Sequence, residues 1–326
     1  MDKDTKFNFG ILFFILWTYI GIHMDGWAHV NIPELETFFT PWHAAFYSGF
    51  MGILIFVAVN AILTHRKGKL WKQSLPRGHG LTFIGILIFF ASGIGDMIWH
   101  ILFGIEIGVE ALLSPTHLGL AVGLFIIVGG VVRNAWHKKE IRASLLVILT
   151  LPLLLGGITF MTEFIHPHVT PYASIDQLTE PARHGEVAGI GSIYFQTAVL
   201  MGILLLALLR WNLPFGSVAA YLTVNALFMS AFHLDFTFVP GAFIAGLLGD
   251  IYLKIWPMKT RRNFHAFGFI FPIIIYLFYF MTIILTRGLG WSIHMWSGAI
   301  VGPGIIGWLV SYLFIQYKTI KEDIIK

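Results

Sequence analysis

The chain has no cysteine. That removes thiolate metal sites, disulfides and cysteine nucleophiles, while leaving the compartment open. Charge is scarce as well: 12% of the 326 residues are Asp, Glu, Lys or Arg, against 57% hydrophobic, and the mean hydropathy is +0.78. Soluble domains carry about 25% charged residues, so this balance excludes one and points to an all-α, polytopic integral membrane bundle. The formal charge of +4 gives no case for nucleic acid, because the basic residues fall in short stretches between apolar runs. Also missing are a phosphate-cradling glycine loop, a dinucleotide fingerprint, a His-Glu-x2-His pair and a Gly-x-Ser-x-Gly elbow. No lysine sits centrally in an apolar run. No small-residue cleavage pattern follows the first apolar run, which is therefore expected to stay as a span rather than leave as a signal peptide.

What is there is ten apolar runs, near 8–29, 41–64, 81–103, 116–136, 143–166, 187–209, 217–237, 239–256, 264–286 and 294–317. Only Phe238 separates the seventh from the eighth, and Pro240 marks the break. Lys and Arg gather in alternate connections, at 66–77, 138–142 and 259–262 and at both ends, while 30–40 and 104–115 hold none. By the positive-inside rule this predicts both termini in the cytoplasm, in a multi-pass protein of the plasma membrane. Glycines 189, 191, 241, 246 and 249 fall at helix positions where close packing is expected.

A repeated pattern stands out in the first four runs. Asp25-Gly26-Trp27-Ala28-His29 is followed by Thr40-Pro41-Trp42-His43, and Asp96-Met97-Ile98-Trp99-His100 by Ser114-Pro115-Thr116-His117. The Asp residues are 71 positions apart, as are the first His residues, while 13 residues intervene before His43 and 16 before His117. We read residues 1–142 as a duplicated helix-loop-helix half of four spans and 143–326 as a second half of about six. Asp and His at i,i+4 share a helix face, and a His from the next helix completes a carboxylate-plus-two-imidazole set. Such sets suit copper, zinc or non-haem iron. A single Asp-x3-His in a bundle is more simply a hydrogen-bonded pair. Two copies inside apolar sequence favour function, since each ionisable group at membrane depth costs about 2.5–3.5 kcal/mol or more.

The Asp-x3-His element with Trp before the His, followed by Ser-Pro-Thr-His, resembles the C subunit of the copper membrane monooxygenases, which comprise the particulate methane and ammonia monooxygenases. The resemblance spans residues 8–136. It implies two copper-binding sets on the non-cytoplasmic side, Asp25, His29 and His43 in one and Asp96, His100 and His117 in the other. The family opens one set with Asn, whereas both open here with Asp. The family enzyme also works with two further subunits.

Around these sets His23 lies on a different helix face, as a pore-lining or supporting group. Glu106 and Glu110 are candidates for orienting imidazoles, or else belong to a solvated outer turn, and Glu34 and Glu36 occupy the equivalent stretch of the first copy. Glu163-x2-His166-x-His168 and His233-x-Asp235 are candidate extra ligands. With His184 and His294 they form an expected histidine-rich layer at the outer face, against His65, His79, His137 and His265 inside. Trp27, Trp42 and Trp99 flank the ligands, as walls against water or as an interfacial belt. Asp250 and Lys254 at i,i+4 read as a charge pair.

The function expected from all this is a metal-dependent membrane oxidoreductase, monooxygenase-like, that uses copper on a small apolar substrate arriving through lipid. Zinc or non-haem iron are the alternative ions. A zinc-dependent intramembrane lipid hydrolase and a metal-transport or accessory subunit are the alternative functions. Candidate partners are membrane lipid, other membrane subunits and further copies of the chain.

Overall fold

The computed structural model describes residues 2–32, 38–106, 108–177 and 182–324, with side chains left out at 182–184 and 316–324. Glu34, Glu36 and the His184 side chain lie outside the described residues. The described chain is helical throughout: α1 Lys3–Asn31, α2 Pro41–His65, α3 Gly80–Phe103, α4 Val109–Leu113, α5 Pro115–Trp136, α6 Leu145–Met161, α7 Ala182–Arg210, α8 Ser217–Ala231, α9 Val239–Ile255, α10 Arg261–Thr286 and α11 Ile293–Ile324. Two isolated bridges, Arg142 with Asn212 and Ser174 with Leu289, are the only extended pairings among the described residues.

Among the described residues, seven helices are long and apolar enough to cross a membrane: α1, α2, α3, α5, α7, α10 and α11. The runs expected at 143–166 and 217–237 are shorter than the spacing predicts. In the first, α6 stops at Met161 and a 3-10 turn, Glu163–Ile165, follows. In the second, α8 stops at Ala231, Leu234 takes φ +53 and the Asp235 N–H returns to the Ser230 carbonyl. Hydropathy alone does not register these turns, because Phe164, Ile165, Phe232, Leu234 and Phe236 carry the apolar signal on past the helix ends.

The helices form two compact units. The first comprises residues 1–140, 144–157 and 231–234, so the start of α6 belongs with the duplicated half; the second holds 141–143, 158–230 and 235–326. In the first unit α1 packs along α2 and α3 along α5. The two pairs are built alike. A Cβ on Gly49 would lie 2.7 Å from the Thr18 backbone N, and one on Gly123 would lie 2.7 Å from the Phe89 backbone N. Thr18 and Phe89 are 71 positions apart, and Gly49 and Gly123 are 74 apart, the same as His43 and His117. The offsets of the motif are thus also the offsets of the helix crossings, where glycine lets two backbones approach.

A buried polar network ties the opposite ends of these helices. Asn8 donates to the Asn134 side-chain carbonyl at 2.8 Å, His79 Nε2 meets the Asn8 carbonyl at 2.8 Å, and Asn134 donates to the Arg77 carbonyl at 2.7 Å. Burial holds the His79 imidazole down at about 3, so it is the neutral ring that bonds here. Asn8→Ala strands polar groups of both His79 and Asn134, and a buried orphan costs about 1–3 kcal/mol. Thermal unfolding in detergent should show that loss, with the other end of the unit undisturbed.

The second unit is built on α7, α10 and α11, with a core that includes Ile193, Phe238, Tyr279, Phe280, Trp291 and Ile300. Asp250 does not act as the charge partner of Lys254. Its carboxylate accepts from the backbone N–H groups of Val218 at 3.1 Å and Ala219 at 3.0 Å, capping the start of α8 from α9. Four unsatisfied N–H groups open every helix, and a carboxylate is their best acceptor. Of the glycines expected at crossings, Gly246 fits, since a Cβ there would lie 2.5 Å from Ala219 Cα, whereas Gly191 faces open space.

Candidate metal centre

Local sequence explains how each copy presents its side chains. Asp25 and His29 lie near the C-terminal end of α1, and Asp96 and His100 near that of α3. The next long helix of each copy opens the same way. Thr40 caps α2 and accepts from the His43 N–H at 3.1 Å, while Ser114 caps α5 and accepts from the His117 N–H at 3.3 Å. Pro41 and Pro115 follow in the first turn, where the missing N–H has no cost. Hydroxyl, Pro, any residue, His therefore reads as a helix start that fixes a histidine in the first turn. The longer second connection contains the short helix α4.

All six motif residues meet within the first unit. His29 Nε2 lies 3.7 Å from Asp25 Oδ2, and His43 Nδ1 lies 3.6 Å from Asp25 Oδ1. His100 Nε2 lies 3.4 Å and His117 Nε2 2.9 Å from Asp96 Oδ1. The two copies touch each other: the His43 and His100 rings are 5.9 Å apart, and the His100 and His117 rings 5.6 Å. Two groups of three have donor atoms within 4.8 Å of one another, Asp25–His29–His43 and His43–Asp96–His100. The first is the set expected from the sequence. The second takes His43 in place of His117, whose Nε2–H is engaged by Asp96.

The hydrogen bonds fix where lone pairs point. His100 Nδ1 bonds the Gly104 carbonyl at 3.2 Å, so that nitrogen carries the proton and Nε2 is a bare acceptor. With His117 Nε2 donating to Asp96, Nδ1 is the acceptor of that ring. Glu106 joins the cluster, its Oε2 3.1 Å from His100 Nδ1. Asp25 Oδ1, His100 Nε2, His117 Nδ1 and Glu106 Oε1 are buried without a hydrogen bond, and Glu106 Oε2 has only its ion-pair contact with His100 Nδ1. A bare buried acceptor costs about 1–3 kcal/mol or more. No single ion reaches all of them, because Glu106 lies beside Nδ1 of His100 whereas the bare nitrogen of that ring is Nε2; a cation held by either group of three would relieve part of the cost, and imidazole and carboxylate donors fit copper, zinc or iron.

Residues the motif did not reveal complete the surroundings. The Tyr47 hydroxyl donates to Asp96 Oδ2 at 2.9 Å and the Thr116 hydroxyl to Oδ1 at 3.3 Å. The Phe38 ring lies 4.9 Å from that of His43 and 5.9 Å from that of His100. Trp27 packs on Trp42, and Trp99 on Phe103. Phe38, rather than Trp99, is the aromatic wall against His100. The aromatic signal around Phe38 was present in the sequence, but nothing in its spacing tied it to the ligands.

The other candidates stand apart. His23 bonds the Tyr19 carbonyl at 2.8 Å, and its ring lies 5.9 Å from that of Phe232. Glu110 is exposed in the first turn of α4, and His233 is exposed beyond α8. In the second unit Glu163 sits in a 3-10 turn, and His166 Nδ1 accepts from the His168 N–H at 3.1 Å. The His168 ring stacks on Phe238 at 5.1 Å, and burial holds its pKa at about 4. Asp235 pairs with Arg287, which also reaches Asp176 at 2.8 Å. Burial works against the Asp235 charge, but Thr237 and Arg287 bond the carboxylate and hold its pKa below the usual range. Glu110, Glu163, His166, His233 and Asp235 belong to no metal-capable group among the described residues. An ion pair, a turn or exposure accounts for Asp235, His166, Glu110 and His233.

Fold and site together define a multi-helix membrane protein with a buried carboxylate–imidazole cluster. No protein-family profile matches the chain, and no curated protein or solved structure matches it to a significant level.

Proposed function

We propose that the chain is a membrane metalloenzyme whose Asp/His centre binds copper and oxidises a small apolar substrate reaching it through the bilayer. One observation carries the reading: side chains from both copies of the duplicated motif gather into two groups of three, Asp25–His29–His43 and His43–Asp96–His100, each with donor atoms within 4.8 Å of one another. In this reading α1, α2, α3 and α5 to α11 make ten spans with both termini cytoplasmic, as the basic connections suggest. The cluster then faces outward, since it lies at the C-terminal ends of α1 and α3 and the N-terminal ends of α2 and α5. The resemblance to the copper membrane monooxygenases supports copper over the other ions.

When bound, copper would supply activation of dioxygen. The protein's own part is to hold and to shield. Asp25, His29, His43, Asp96, His100 and His117 supply donors, Glu106 faces the far nitrogen of His100, and Phe38 covers His43 and His100 on one side. A reading as a metal conduit is less well supported. It needs polar ligands continuing towards Asp250 and His265, and these are engaged in capping α8 and in a 2.8 Å bond with Ser311.

Element analysis of the detergent-purified protein should find stoichiometric copper, and the loaded protein, supplied with a two-electron reductant such as a quinol, should consume dioxygen as it hydroxylates a short apolar substrate, one oxygen atom entering the product and the other leaving as water. Stoichiometric zinc with no redox activity would instead support lipid hydrolysis, with a bound water titrating near about 7. Protein stable only with partner chains, and devoid of metal, would make it an accessory subunit.

A further inference from the structure

The two copies of the motif are alike in their ligands but not in what holds the carboxylates. Asp96 is fully buried, and both its oxygens are occupied: Tyr47 donates to Oδ2 at 2.9 Å, His117 Nε2 lies at 2.9 Å and the Thr116 hydroxyl at 3.3 Å from Oδ1. Among the described residues Asp25 has no such shell. Its nearest imidazole nitrogens are 3.6 and 3.7 Å away, beyond hydrogen-bond range, and its Oδ1 is buried and bare.

The repeat explains the difference. Tyr47 is four residues after His43, and the residue four after His117 is Ala121; Thr116 directly precedes His117, and the residue directly before His43 is Trp42. Each hydroxyl that grips Asp96 thus has a counterpart with no hydroxyl at the matching place. Tyr47 also crosses between copies, reaching from α2 of the first to α3 of the second.

We propose that Tyr47 is a positioning residue that makes the two halves unequal: Asp96 is a fixed post that orients His117, and Asp25 is the carboxylate left free to close on an ion. The inference rests on the metal reading above. Outer groups that orient ligands shift metal affinity by about 10–100-fold. The ring of Tyr47 packs against Phe46 and His43, with centroids at 4.1 and 6.3 Å, so Tyr47→Phe keeps the packing and removes only the hydroxyl.

The experiment measures Cu(II) and Zn(II) binding to the full-length protein in detergent by chelator competition, with the spin-resonance spectrum of bound Cu(II) as a second readout. Tyr47→Phe should weaken binding by about 10–100-fold at unchanged stoichiometry and alter the Cu(II) spectrum. Thr116→Val should act in the same direction, Thr116→Ser should restore the wild-type spectrum, and Asp25→Asn should lower the stoichiometry itself. Wild-type protein that binds neither ion overturns the metal reading and this inference with it. Wild-type protein that binds, with Tyr47→Phe matching it in affinity and spectrum, overturns the inference alone. An unfolded Tyr47→Phe, judged by its melting curve, passes the decision to Thr116→Val and Thr116→Ser, and equal spectra for those two also overturn it.

Discussion

His43→Ala should strip the protein of bound metal, while His29→Ala and His100→Ala should each leave a weakened site. The reason is the overlap: His43 belongs to both groups of three, Asp25–His29–His43 and His43–Asp96–His100. Removing it leaves two donors on either side, whereas removing His29 or His100 leaves one group whole. The loss should exceed the roughly 10–100-fold that follows from deleting an orienting group. Folding and binding separate well here, because Thr40 caps α2 through the backbone N–H of residue 43, which alanine retains. Metal content after dialysis against a weak chelator, alongside melting temperature, checks the result. Equal retention by His43→Ala and His29→Ala would mean that the shared position is unimportant.

Gly49→Ala and Gly123→Ala should destabilise the protein by similar amounts, about 1–3 kcal/mol each, with metal affinity falling as well. In both cases the new Cβ would meet a backbone nitrogen at 2.7 Å, and no side-chain rotation relieves that. One helix must move off the other. Gly49 is less than two turns from His43, and Gly123 less than two from His117, so the ligands move with it. Gly191→Ala is the control. Nothing lies within 4 Å of its Cβ position, and a helical Gly→Ala change in free space gains up to about 1 kcal/mol. Opposite signs at Gly49 and Gly191 in thermal melts would establish close crossing as the cause. Different signs at Gly49 and Gly123 would break the equivalence of the two pairs.

Much of this was legible from short-range pattern. Long apolar runs announce membrane-length helices, and Asp and His at i,i+4 share a face whatever the fold. The Thr40 and Ser114 starts followed the ordinary grammar of helix caps. Other features depend on which helices become neighbours. Tyr47 reaches Asp96 from 49 positions away, Asp250 caps a helix that begins 33 positions earlier, and Arg287 joins Asp176 to Asp235. No local signal separates these residues from other polar groups. The shared use of His43 was hidden for a related reason: the repeat suggested two self-contained triads, and only the meeting of the copies reveals the overlap. The ends of α6 and α8 were missed because Phe and Ile or Leu recur within the turns that follow and look like continued helix.

The ends of four helices converge around the cluster, two finishing there and two beginning there. Partial negative charge at the finishing ends of α1 and α3 is set against partial positive charge at the opening ends of α2 and α5. The backbone fields therefore largely cancel, and the electrical character of the cluster is decided by Asp25, Asp96 and Glu106. Converting any one of them to its amide would remove a carboxylate that no backbone field replaces, so in the metal centre proposed above three side chains decide which cation is accepted.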